Sequence, residues 1–176
     1  MTLIEECIIN SMRQSIIRLL IVLLPFIQGC NGSDYTEELG GGYYYIDEGE
    51  KTKEIRHQME YNKHIHGKVI SYKFNWDFIV VLQEPDFGEH KIMLASSLRN
   101  DLKKYPDNSE SDRLATEKEA DSILKNDPYY KSIFINKYNY WIIVKNDTNV
   151  IGPLTKQEYL KKRLELGVPE NLHLEE

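Results

Sequence analysis

Between Ile65 and Gln83 the chain alternates in polarity and then stops alternating. Val69, Ser71 and Lys73 interleave with Ile70, Tyr72 and Phe74; after Asn75-Trp76-Asp77 comes the unbroken apolar run Phe78-Ile79-Val80-Val81-Leu82. Successive side chains of a strand point to opposite faces, so the first half reads as half-exposed and the second as covered on both faces. The pattern predicts a hairpin whose second strand is central, ended by a turn at Pro85-Asp86-Phe87-Gly88. Tyr43 to Ile46 predicts an earlier aromatic strand, and Lys91 to Ala95 another strand after the turn.

Ser96 to Asp112, with Pro106-Asp107-Asn108-Ser109, reads as a loop containing one helical turn. Thr116-x-x-Glu119 has the spacing of a capping box, in which each side chain satisfies the other residue's free amide. A helix is expected from there to about Lys125, stopped before Asp127-Pro128. Strand character resumes at Ile133-Phe134-Ile135 and from Tyr138 to Val144, and Asn146 to Asn149 turns into Val150-Ile151. Thr155-x-x-Glu158 opens a second helix through Leu166, closed by Gly167 with Pro169 beyond. Its stripe of Tyr159, Leu160, Arg163, Leu164 and Leu166 is expected to pack on the sheet. Together these elements predict an α+β fold, an antiparallel sheet of about five or six strands with two helices, in a single globular domain over residues 43–176.

The N-terminal end has a different pattern. From Met12 the chain runs Met-Arg-Gln-Ser-Ile-Ile-Arg, then Leu19 to Ile27 without a charge, then Gln28-Gly29-Cys30. A basic segment, a short apolar segment and a small residue at the cut make a secretory signal over residues 1–29. The apolar stretch is shorter than the roughly 20 residues a membrane-crossing helix needs, and it contains Pro25. Glu5 and Glu6 do not suit a signal's basic start, so translation is expected to begin at Met12, which would leave Cys7 out of the protein. Ile27-Gln28-Gly29-Cys30 resembles the lipobox of bacterial lipoproteins, with Gln28 departing from its usual small or aliphatic residue. The resemblance implies cleavage before Cys30 and a diacylglyceryl thioether on its sulfur. Two or three acyl chains hold a protein stably to a bilayer where one does so only marginally. Residues 30–42, with Asn-Gly-Ser-Asp and Gly40-Gly41-Gly42, read as the lipidated cysteine and a flexible tether.

Composition narrows the function classes. The net charge is −6, and removal of residues 1–29 takes away two basic and two acidic residues, leaving it at −6. An acidic domain lacks the basic footprint that nucleic-acid binding needs. Cys30 is the only cysteine beyond the signal, so neither a disulfide framework nor a cysteine metal site is expected.

Candidate chemistry is sparse. His64-x-His66 puts two imidazoles on one face of an extended segment, with His90 as a conceivable third ligand, but no carboxylate or cysteine stands at a diagnostic spacing. Ser96-Ser97 lacks the Gly-x-Ser-x-Gly elbow of a nucleophile, and Gly40-Gly41-Gly42 lacks the Lys-Ser/Thr of a phosphate loop. No catalytic residue, metal or cofactor is expected. Twelve tyrosines remain to be explained. Consecutive aromatics on a strand cannot all face a core, so Tyr43, Tyr45, Tyr129, Tyr130, Tyr140 and Trp141 are candidates for a protein-binding surface. The competing expectation is that these rings cover sheet edges and neighbouring helices.

The Cys30-tether-Gly-Tyr start, the Phe78 to Leu82 strand, and Tyr140-Trp141-Ile142-Ile143 through Gly152-Pro153-Leu154-Thr155-x-x-Glu158-Tyr159 resemble one family of small bacterial proteins, domain-of-unknown-function family 3997. The likeness covers most of residues 31–172. It implies a lipoprotein and brings no activity or cofactor. The expectation is therefore an extracytoplasmic protein held by lipid on Cys30 to the cell membrane or outer membrane, with a non-catalytic binding or structural role. The alternative is an immunity protein that neutralises an envelope-acting toxin.

Overall fold

Phe78 to Leu82 lies at the centre of its sheet because it has nothing polar to offer solvent on either face. The computed structural model describes residues 35–49, 52–60 and 63–174. The expected signal segment, Cys30 and the first residues of the expected tether lie outside them. Strands β1 (Tyr35–Gly40), β2 (Tyr43–Asp47) and β3 (Lys53–His57) form one antiparallel sheet in the order β1-β2-β3. Strands β4 (Lys68–Phe74), β5 (Phe78–Glu84), β6 (Asn139–Val144) and β7 (Asn149–Leu154) form a second, in the order β4-β5-β6-β7. Helices α1 (Phe87–Arg99), α2 (Glu110–Asn126) and α3 (Pro128–Ile135) stand between β5 and β6, and α4 (Lys156–Leu166) follows β7.

The class is α+β, as expected, but the strands divide between two sheets of three and four, and there are four helices rather than two among the described residues. Each difference has a local cause. Asp86 accepts a hydrogen bond from the Glu89 amide and starts a helix through the residues read as a strand, where Met93, Leu94 and Ala95 are good helix formers. Ser109 caps α2 by accepting from the Asp112 amide, so Thr116 falls inside the helix, buried, with its hydroxyl donating to the Arg113 carbonyl. Asp127-Pro128 ends α2 as expected and also begins α3, Asp127 accepting from the Tyr129 amide with proline in the first turn. Ile133-Phe134-Ile135 is therefore helical rather than extended.

The tether also differs from expectation where it is described. Tyr35–Gly40 pairs with β2, and Gly40, Gly41 and Gly42 make the connecting turn with φ of 80°, 63° and 80°, a region that glycine enters without strain. The domain thus begins at Tyr35 or before rather than at Tyr43. Other expectations match: the β4–β5 hairpin, the β6 and β7 strands, and the Thr155/Glu158 capping box with Gly167 closing α4.

Two cores lie on the two faces of the second sheet. Ile79 and Val81 of β5 with Trp141 and Ile143 of β6 face Leu39, Tyr43, Tyr45, Ile55 and Ile65, together with Ile133 of α3. Val80, Leu82, Tyr140 and Ile142 face the other way onto Tyr159, Val168 and Leu172. Helix α4 packs through Tyr159, whose ring stacks 5.0 Å from that of Tyr140, while Leu160 and Leu164 are exposed, so the expected apolar stripe is only partly the buried one. Among the described residues no helix is long and apolar enough to cross a membrane.

Candidate functional site

A polar residue ends the apolar run of β5. Gln83 continues the inward series of Ile79 and Val81 and is buried, so its amide must find partners inside. Its Oε1 accepts from Trp141 Nε1 at 2.9 Å and Asn139 Nδ2 at 3.3 Å, and its Nε2 donates to the His66 carbonyl. Asn139 Nδ2 also donates to the Ile133 carbonyl at 2.7 Å. Gln83 therefore ties β6 to the segment before β4, and Asn139 extends the tie to α3.

Around this frame lies a cavity of about 480 Å³, within the size range of small-molecule sites. The segment before β4 contributes His64, Ile65 and His66. Helix α1 contributes His90, Leu94 and Ser97, spaced so that they share one face, and α3 contributes Tyr129, Tyr130 and Ile133. Trp141, Val150 and Gly152 close it from the sheet.

The three imidazoles are neighbours, with ring centroids 5.3 Å apart for His64 and His66 and 6.2 Å for His66 and His90. Each has a different anchor. His90 Nδ1 lies 2.9 Å from the Asp86 carbonyl, which can only accept, so this nitrogen carries the proton and Nε2 is left as an acceptor. Burial outweighs that hydrogen bond and pushes the His90 pKa down to about 4, leaving the ring neutral at ordinary pH. His64 Nε2 donates to the His57 carbonyl at 2.9 Å, and burial lowers its pKa too. His66 Nδ1 meets Glu54 Oε2 at 2.7 Å.

Glu54 is only 2% exposed. Burial alone would raise its pKa, but hydrogen bonds from His66 and Arg56 and their charge prevail and bring it down to about 2. A buried carboxylate gripped from two sides holds the His66 ring in place. Among the described residues no three His, Cys, Asp or Glu side chains are placed to hold a metal ion together. What the arrangement offers is a mostly apolar space with a neutral imidazole acceptor, a hydroxyl and two phenols.

The six candidate surface aromatics divide. Tyr43, Tyr45, Tyr140 and Trp141 are buried in the two cores, as the competing expectation had it, and do not form an outer face. Tyr129 is 48% exposed and Tyr130 half-buried, their rings 5.3 Å apart at the cavity. Trp141 reaches the same cavity from the sheet. The histidines at 64, 66 and 90 and Ser97, singled out separately, are brought to one place. Glu54 and Gln83 were not anticipated; the signal for Gln83 is an amide at an inward position of an otherwise apolar strand, whereas Glu54, in the charged stretch Lys53-Glu54-Ile55-Arg56, gives none.

Comparison with known proteins adds no relative: no family model, no curated protein and no solved structure matches the chain. The resemblance to family 3997 therefore stands on its quoted motifs alone.

Proposed function

We propose that this is a lipid-anchored protein of the bacterial cell envelope whose domain binds a small molecule without transforming it. The observation that carries the binding role is the cavity of about 480 Å³, framed by buried Gln83 and lined by the His64, His66 and His90 rings. Its ligand is expected to be a compact, largely apolar molecule with hydrogen-bond donors, since His90 above its depressed pKa presents only an acceptor at Nε2. The anchor is supported by the short apolar run ending at Gly29-Cys30. Cys30 precedes Tyr35 by five positions, and five residues span at most about 18 Å, so the domain would sit close to the bilayer. The immunity alternative has less support, because it relied on an exposed tyrosine face and most of those rings are buried.

Mass spectrometry of protein extracted from membranes in detergent tests both parts. The denatured chain is expected to begin at residue 30 and to carry the mass of diacylglycerol; a free Cys30 thiol or an uncleaved Leu19 to Ile27 segment overturns the anchor. The native protein is expected to bind members of a small-molecule library, and Leu94→Trp, which fills the cavity, is expected to abolish that binding. Binding unaffected by Leu94→Trp, or none by the wild type, overturns the ligand site.

A further inference from the structure

Trp76 is 94% exposed, more than any other large hydrophobic residue among those described. An indole so placed adds little to folding, yet the turn beneath it is closely held. Asn75 Oδ1 accepts from the amides of Asp77 at 2.9 Å and Phe78 at 2.8 Å, and the Asn75 amide donates to the Phe78 carbonyl at 3.0 Å. Lys145 Nζ donates to the carbonyls of Asn75 and Leu39, and the Lys145 amide donates to Asp77 at 2.8 Å. The ammonium also lies 5.2 Å over the ring of Phe74. Opposite stands the Gly40-Gly41 turn, so close on the lysine stem that a Cβ at Gly41 would be 3.1 Å from Lys145 Cβ. Between the two turns is a groove of about 490 Å³, separate from the histidine cavity.

The groove's chemistry narrows its occupant. Phe74 and Trp76 offer aromatic faces and Leu39 and the Lys145 stem further apolar surface, while Glu38, Asn75 and the bare backbone of Gly40 and Gly41 supply the polar atoms. A protein hot spot gathers its aromatic anchors in a water-excluded pocket, whereas Trp76 stands almost wholly in water beside a carboxylate and bare backbone. A pyranose ring matches it better: its C–H face is attracted to the negative face of an indole, and its hydroxyls donate to a carboxylate and to carbonyls. Position argues against a bilayer. The groove adjoins the Gly40 end of β1, whereas the chain toward Cys30 leaves from the Tyr35 end, about 17 Å away along a six-residue strand.

We propose that this groove binds a glycan, with one sugar stacked on Trp76 and Glu38 accepting its hydroxyl hydrogen bonds. The proposal does not need the histidine cavity, and its exclusion of a bilayer rests on the anchor at Cys30 proposed above. The test uses the full chain in detergent micelles, titrated with the tetramer of β-1,4-linked N-acetylglucosamine and sedimented with insoluble bacterial cell-wall glycan stripped of peptide. Saturable binding with a blue shift of tryptophan emission is expected, since Trp141 is buried and Trp76 is the indole that would leave water. Trp76→Ala is expected to weaken binding at least tenfold, Trp76→Phe less, and Glu38→Gln about threefold, with thermal unfolding unchanged in all three. No binding to either glycan, or equal binding by Trp76→Ala, overturns the proposal. So does Trp76-dependent binding to phosphatidylglycerol vesicles or to a protein when neither glycan binds.

Discussion

Gly152 is set by Trp141. Its φ is 150°, and a Cβ there would stand 2.4 Å from Cε3 and 2.7 Å from Cδ2 of the indole, with the Tyr140 carbonyl at 3.0 Å. Neither neighbour can give way cheaply, because the ring is buried and its nitrogen is bonded to Gln83. Gly152→Ala is expected to lose roughly 2 kcal/mol or more, the range of an overpacked core. Urea unfolding followed by tryptophan fluorescence measures it, and a variant as stable as the wild type would contradict the packing account. The same ring forms part of the cavity wall, so the residue that fits the core also shapes the site.

Among the elements, α4 was the most legible and α1 the least. Thr155 Oγ1 accepts from the Glu158 amide and Glu158 Oε2 accepts from the Thr155 amide at 2.8 Å, so both ends of the motif operate. Thr155→Ala is expected to cost about 1 kcal/mol, seen as a lowered unfolding midpoint. No change would mean that α4 is held by Tyr159 packing alone. Thr116 and Glu119 show the same spacing without the same role, since Ser109 had already begun the helix seven positions earlier. A capping motif identifies a place where a helix can start and does not exclude an earlier one. Ile92-Met93-Leu94 and Ile133-Phe134-Ile135 misled for a related reason: three apolar residues fit a strand or one helical turn, and Asp86 and Asp127 decide between them. Alternation identified β4 and an unbroken apolar run identified β5, but neither pattern could show that β1 to β3 form a sheet of their own, because each reports which face is covered and not which strand lies beside it. For the site, His64-x-His66 was visible as a pair; the convergence of His90, Ser97 and Tyr130 depends on α1 and α3, the two helices that had been read largely as strands and loop.

Across the whole molecule, two buried groups make stability depend on acid in two stages. Unfolded, His90 takes a proton near 6.5, but folded it holds out to about 4, so between these values the unfolded state binds more protons and stability falls as pH falls. Glu54 follows lower down, from 4.5 unfolded to about 2 folded, again losing stability as pH drops through that window. Each shift corresponds to on the order of 3 kcal/mol. Urea midpoints recorded from pH 7 to 3 are expected to fall throughout, and His90→Gln to flatten the upper stage while leaving the lower. A His90→Gln profile parallel to the wild type across pH 6.5 to 4 would remove His90 from the account.

Lys145 joins the two sheets at one end of β1, through the carbonyls of Leu39 and Asn75. Under the proposed anchor at Cys30, a pull reaches the described strands first at Tyr35 and tends to unzip β1 from β2, beginning at the Tyr35 and Asp47 pair and running toward Gly40. The Tyr72 hydroxyl, donating to Glu37, resists near the start of that path, and the lysine clasp is met last. Mechanical load on the proposed anchor would therefore be spent on one edge strand before it reached the second sheet.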